Sequence, residues 1–252
     1  MTEADAGRIV YSFPPIVEVI CQVTFAEAVK WSVATPGVLW KALETEYPAE
    51  PGTLSGVEAS FDSDGDFSVN QQNSHFVYSN ERGNRRLVAN QQGLSVNGLR
   101  PYEEWPNIAS RFRRAMDAFR STVGDFRPAS INIRYINRII IPAGELMVEE
   151  YFRLPVVRSH QDNAVIHNFM SRSQSLAPDT LTTTTITFAS APHSVADETA
   201  FILDIELTQQ INEGSGADDL IQAVEKLHEL ENREFESSIT QKCRELFDGH
   251  SS

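Results

Sequence analysis

The chain has 252 residues, 41% of them hydrophobic, and a net charge of −14. That length and apolar content suit one large domain or two small ones with an ordinary core. The acidic balance argues against a general nucleic-acid binder, which needs a basic surface to neutralise phosphates, and no segment reaches the apolar length that spans a bilayer. In chain order, PPIVEVICQVTF (14–25) alternates as a strand. Val17, Val19, Cys21, Val23 and Phe25 share one face, and Ile16, Glu18, Ile20, Gln22 and Thr24 the other. Thr35-Pro36-Gly37 then starts a short helix through Val38, Leu39, Leu43 and Tyr47, with Thr35 expected as N-cap and Pro36 at the first helical position. Val57–Phe61 reads as a strand. Asp62-Ser63-Asp64-Gly65-Asp66 after it reads as a hairpin turn rather than a calcium loop, because the glycine is misplaced and the distal glutamate is missing. His75–Asn80 and Arg85–Asn90 form two arms around the turn 81–84, and Leu94–Leu99 continues as a strand. A helix over 102–123 places Trp105, Ile108, Phe112, Met116, Phe119 and Val123 in a core stripe, with Arg111, Arg114 and Arg120 on its more exposed flanks.

The second half opens on PASINIRYINRIII (128–141), the strongest β signal in the chain. A strand apolar on nearly both faces is expected at the centre of its sheet. A short helix follows at Leu146–Phe152, then strands at Val165–Ser171, Leu181–Ala189 and Phe201–Thr208, a hinge at Gly214-Ser215-Gly216 and a long amphipathic helix over roughly 216–247. Ser237, Ser238 and Thr240 are placed to kink or split that helix. Both halves thus run strand, short helix, several strands, long helix. The expected fold class is α+β: a duplicated β-α-β(3-4)-α unit, 14–124 and 129–247, forming a mainly antiparallel curved sheet with long helices packed on one face. Residues 1–252 then make a single pseudo-symmetric domain.

Charge is segregated along the chain. Residues 80–160 carry thirteen arginines, no lysine and eight acids, a net of +5, whereas 196–252 carry four basic and fourteen acidic residues, a net of −10. The candidate ligand-binding residues are Arg134 and Arg138, on one face of a strand, Asp204 and Glu206, on one face of another, and Glu18 and Gln22 on the comparable face of the first strand. Brought together they form either a polar site or an ion-pair network that holds the halves in register. The acidic terminal helix offers Glu229, Glu231, Glu234 and Glu236 as candidate partner contacts, against the plainer reading that the helix packs on its own sheet. His75, His160, His167, His193, His228 and His250 are scattered without metal-ligand spacing, and no nucleophile elbow, phosphate loop or dinucleotide fingerprint is present. No catalytic residue, metal or cofactor is therefore assigned. Cys21 and Cys243 lie in apolar patterns and read as buried thiols. Asn137, on an apolar face, is expected to tie down backbone. The acidic start, with no apolar h-region, points to a cytoplasmic protein.

PPIVEV (14–19), RYINRI followed by Pro142 (134–142), LDIE (203–206), FESSIT (235–240) and RELF (244–247) resemble, in order, the landmarks of an uncharacterised bacterial family noted for sporadic distribution. The resemblance implies no activity or cofactor; the distribution resembles that of genes in defence-related loci. The duplicated order also resembles the TATA-binding-protein-like and helix-grip folds. The leading expectation is a non-enzymatic binding or regulatory protein, a component of a multi-protein system that holds a macromolecular partner through its sheet face or acidic helix. Alternatives are a sensor of a small anionic ligand or nucleotide clamped by Arg134 and Arg138, and nucleic-acid binding through the Arg-rich segment 82–138. Homodimerisation through an edge strand is open, and no membrane association is expected.

Overall fold

The computed structural model describes residues 9–54, 57–61, 67–71, 75–142, 147–157, 168–178, 180–192, 195, 198–212, 214 and 216–248. Among them the elements run β1 (Ile16–Phe25), α1 (Thr35–Leu43), β2 (Gly52–Leu54), β3 (Val57–Phe61), β4 (Phe67–Gln71), β5 (His75–Ser79), β6 (Arg85–Asn90), β7 (Gly93–Leu99), α2 (Trp105–Val123), β8 (Pro128–Ile141), α3 (Val148–Tyr151), β9 (Met170–Ala177), β10 (Thr182–Ala191), β11 (Thr199–Gln210), α4 (Ala217–Ser238) and α5 (Gln241–Glu245). The protein is α+β, with a large antiparallel sheet of nine strands in the order β2-β5-β6-β7-β1-β8-β11-β10-β9 and a separate β3-β4 hairpin. The turn expected at Asp62–Asp66 lies outside the described residues. β8 is interior, as its two-sided apolar pattern predicts, and β1 beside it is interior too. The chain divides into two compact units, one of residues 20–131 with 210–222, the other of residues 1–19, 132–209 and 223–252.

In the first unit the core face of the sheet carries Cys21, Val23, Tyr78, Leu87, Ala89, Leu94 and Val96, each at most 2% exposed. Each large apolar side chain buried in this way contributes about 1.5–3 kcal/mol. Trp105, Ile108, Phe112, Ala115, Met116 and Phe119 supply the inward stripe of α2, while Phe25 stacks against Phe119 and Phe126 at 5.2 and 4.4 Å. Gly93 marks where β7 passes close to β1: a Cβ there would sit 2.5 Å from the Val23 carbonyl oxygen. Two expectations fail in this unit. Thr35 is not the N-cap of α1. Ala34 holds that position, and Thr35 Oγ1 accepts from the Ser32 backbone N–H at 2.9 Å instead. Arg111 does not lie on an exposed flank of α2 but is 1% exposed. It follows Ile108 by three residues and precedes Ala115 by four, which places it on the inward stripe. There its guanidinium binds Glu103, donates to the Tyr47 hydroxyl at 3.0 Å and reaches the Asn97 carbonyl. Burial raises the Tyr47 pKa, against the lowering effect of Arg111.

In the second unit Ile133, Tyr135, Ile139, Phe188, Phe201, Leu203, Ile205 and Leu207 line the core face. Val224, Leu227, Phe235, Ile239, Cys243 and Phe247 come from α4, α5 and their flanks. Asn137, 2% exposed, donates to the Leu203 carbonyl at 3.2 Å and so ties backbone, as its place on an apolar face predicts. His228 is a core histidine: its Nδ1 lies 2.9 Å from the Tyr135 hydroxyl and the two rings stack at 5.8 Å. The terminal helix is split. α4 ends at Ser238, whose hydroxyl turns back to the Glu234 carbonyl at 2.7 Å, and Thr240 caps α5. The break is pinned from outside by Arg153 N–H donating to the Ser238 carbonyl and Thr240 N–H donating to the Tyr151 carbonyl, both at 2.9 Å. Residues 11–13 lie on this end. Tyr11 donates to Glu236 at 2.6 Å and packs edge-on to Phe247 at 5.1 Å, and the Phe13 N–H donates to the Phe247 carbonyl at 2.8 Å. Cys21 and Cys243 are buried thiols, and burial pushes the Cys243 thiol up to about 12.

Candidate functional site

Alternation along β8, β11 and β10 decides what the sheet face opposite the core of the second unit presents. With Ile133, Tyr135 and Ile139 turned inward, Asn132, Arg134, Ile136 and Arg138 turn outward. On β11 the same parity leaves Ile202, Asp204, Glu206 and Thr208 outward. The β10–β11 register sets Thr187 opposite Asp204, Thr185 opposite Glu206 and Thr183 opposite Thr208. The β9–β10 register adds Arg172 opposite Thr187 and Gln174 opposite Thr185. A polar, threonine-rich surface across four strands results.

Arg134, Asp204, Glu206 and Arg138 on it are already engaged. Arg134 donates through Nε and Nη2 to both oxygens of Asp204, at 2.8 and 2.6 Å, a two-pronged pair whose side chains are 36% and 12% exposed. The bond to Asp204 is the largest influence raising the Arg134 pKa, with Glu206 and Glu18 adding field against partial desolvation. Asn132 donates to Glu206 at 2.9 Å and to Thr208 at 2.8 Å. Arg138 donates instead to the Pro192 carbonyl at 2.5 Å. Arg134, Asp204 and Glu206 are thus brought into one network with Glu18 in its field, Arg138 points to a loop carbonyl, and half-buried Gln22 is carried by the other unit.

The four glutamates proposed as helix contacts do not form one exposed face. Glu229 is exposed and Glu234 half-buried, but Glu231 is 2% exposed on the inward stripe, three residues after His228 and four before Phe235. Burial first, then the charges of Glu234 and Glu236, push its carboxyl well above the usual carboxylate range. Glu236 is held by Tyr11 and by Arg244, which donates at 2.7 Å.

Seven arginines of the segment 82–138 meet acids. Arg85 and Arg111 both meet Glu103; Arg113 meets Asp218, Arg114 Glu46, Arg120 Asp125, Arg127 Glu27 and Arg134 Asp204. An ion-pair network is among the expectations, but most of the individual partners are not legible locally, because each acid lies eight or more residues away except for Arg120 with Asp125. Of the histidines, 160, 167, 193 and 250 lie outside the described residues. Among the described residues no group of three or more His, Cys, Asp and Glu side chains is arranged to hold a metal, and no helix is long and apolar enough to cross a membrane. No protein-family model matches the chain, and no curated protein matches it.

Proposed function

We propose that this protein is a non-enzymatic binding or regulatory component that holds a macromolecular partner, a protein, on the polar face of β8, β11 and β10. The observation that carries the reading is the Arg134–Asp204 pair with the Asn132–Glu206–Thr208 bonds beside it. Side chains locked to one another present a fixed pattern of donors and acceptors, and a partner does not have to order them on binding. The same geometry weighs against the alternatives. An anionic ligand at Arg134 would have to displace a carboxylate held by two hydrogen bonds. A nucleic-acid backbone would have to compete with the carboxylates paired to Arg85, Arg111, Arg113, Arg114, Arg120, Arg127 and Arg134. The acidic helix loses Glu231 and Glu236 as free contacts.

The duplication belongs to the same proposal. Support comes from strand order, which runs outward as β1, β7, β6, β5 in one direction and as β8, β11, β10, β9 in the other. Membership of the sporadically distributed bacterial family, a cytoplasmic location and a place in a defence-type system remain proposals on the landmark residues alone. The test is affinity capture from the native host with three baits: the wild type, Thr187→Arg on the sheet face, and Glu229→Lys on the exposed side of α4. A stoichiometric partner retained by the wild type and by Glu229→Lys but lost with Thr187→Arg is the expected result. A partner lost with Glu229→Lys and kept by Thr187→Arg would overturn the assignment to the sheet. Turnover of a nucleotide or ester by the purified protein would overturn the non-enzymatic reading.

A further inference from the structure

Among the described residues β9 ends the sheet, as an eight-residue strand paired to β10 without a bulge from Met170↔Ala189 to Ala177↔Thr182. Seven of its eight residues are exposed, with Ser171 half-buried; Met170 is 76% exposed and Leu176 59%. Proteins ordinarily blunt such an edge with proline, several charges, a bulge or a very short strand, because its outward N–H and C=O groups template pairing with another chain. MSRSQSLA has none of these devices and one charge, Arg172.

We propose that this edge is the interface of a homodimer, in which β9 of one copy pairs antiparallel with β9 of a second and continues the sheet. The identity of the partner comes from the chemistry of the strand, which is self-complementary about Ser173. Running it antiparallel against itself sets Met170 against Leu176, Ser171 against Ser175, Arg172 against Gln174 and Ser173 against Ser173. Apolar meets apolar, small meets small, and the one cation meets an amide acceptor. Moving the pair by one step of two residues sets Arg172 against Arg172 in one direction and breaks the Met170–Leu176 match in both.

The backbone agrees with that register. Ser190 N–H donates to the Phe169 carbonyl. Hydrogen-bonded pairs alternate along an antiparallel ladder, so residues 169, 171, 173 and 175 direct their amides to β10. Met170, Arg172, Gln174 and Leu176 therefore direct theirs outward. These same four residues face one another in the self-complementary register, giving hydrogen-bonded pairs 170↔176 and 172↔174, each occurring twice by the two-fold axis. The proposal stands apart from the sheet-face partner and does not depend on it. A strand pair of this size falls at the low end of interface areas, so the dimer is weak and concentration-dependent.

Sedimentation velocity of the full chain over a concentration series tests it, with Gln174→Arg and Gln174→Glu, both at an exposed position. Gln174→Arg opposes two arginine pairs and is expected to weaken the dimer by about tenfold; Gln174→Glu creates two Arg–Glu pairs and is expected to tighten it by a similar factor, lost at high salt. The directions are diagnostic. Two copies of net charge −14 repel, so a non-specific charge effect predicts the opposite ordering. A wild type that stays monomeric at every concentration overturns the proposal, whether the edge is open or covered by another part of the same chain. A dimer equally tight in both variants overturns it too, because β9 is then not the interface.

Discussion

Glu231→Gln is expected to stabilise the protein by an amount that grows with pH. The carboxyl lies on the inward stripe of α4 at 2% exposure, and burial holds it well above the usual carboxylate range. Unfolded, it titrates near ~4.3. Between that value and the raised folded one, the folded protein keeps a proton that the unfolded chain has released. Its contribution to stability is thus fully present below the unfolded pKa and is lost as pH rises through the folded pKa. The slope in that window is about 1.4 kcal/mol per pH unit. Glutamine fills the same space and does not titrate. The difference between variant and wild type in urea denaturation, followed by tryptophan fluorescence, is therefore expected to open by about 1.4 kcal/mol per unit from ~4.3 upward and to level off at the folded pKa. A difference that does not grow as pH rises above about 4.3 would refute the reasoning, since it requires a carboxylate ionised in both states.

Removing the guanidinium with Arg111→Ala leaves Glu103 short of one partner and Tyr47 without its donor, and is expected to cost about 3 kcal/mol by chemical denaturation. Arg114→Ala, which breaks an ion pair to Glu46 from an arginine 54% exposed, is expected to stay within about 1 kcal/mol. Equal losses would show that burial does not govern these pairs. Gly93→Ala drives a Cβ to 2.5 Å from backbone on β1 and is expected to cost about 2–3 kcal/mol, whereas Gly98→Ala, whose neighbours at 3.4–3.5 Å are side-chain ends, is expected to be the milder change in thermal denaturation. The reverse order would count against the close approach of β7 to β1.

Strand and helix periodicity was sufficient to find most of the elements, because each carries its own record of which face is buried. β1, β6, β7, β8, β10 and β11 all alternate visibly in the sequence, and the stripe of α2 is continuous. The break after Ser238 was readable as well, from hydroxyls that compete for helix carbonyls. What sequence could not supply was pairing across distance. Arg111 looks like any helix-surface arginine until Glu103 and Tyr47 are brought to it, and nothing local distinguishes Glu231 from Glu229 except strict counting along the stripe. Arg134 and Asp204 share the outward parity of their strands, so their common face was legible, but their direct pairing needed β8 to lie beside β11. Arg138 shares Arg134's parity and not its neighbour, which is why two arginines that looked like one clamp do different work. Of the strand expected at 165–171, residues 165–167 lie outside the described ones; β9 begins at Met170, and MSRSQSLA is strand by virtue of its partner β10 rather than its own hydrophobicity.

The second unit is assembled from residues 1–19, 132–209 and 223–252, and that has a consequence for how the protein is made. A chain emerging from its N-terminus delivers residues 20–131 of the other unit in one stretch, so most of that core can close early. Tyr11 and Phe13 precede that stretch, yet their contacts at Phe235, Glu236 and Phe247 come more than 200 residues later in the chain. Until Phe235 and Phe247 are made, the Tyr11 ring has no native place to go, a state that chaperones bind and that aggregation exploits. Any truncation before Phe247 prolongs that state indefinitely, and the arrival of Phe247 ends it.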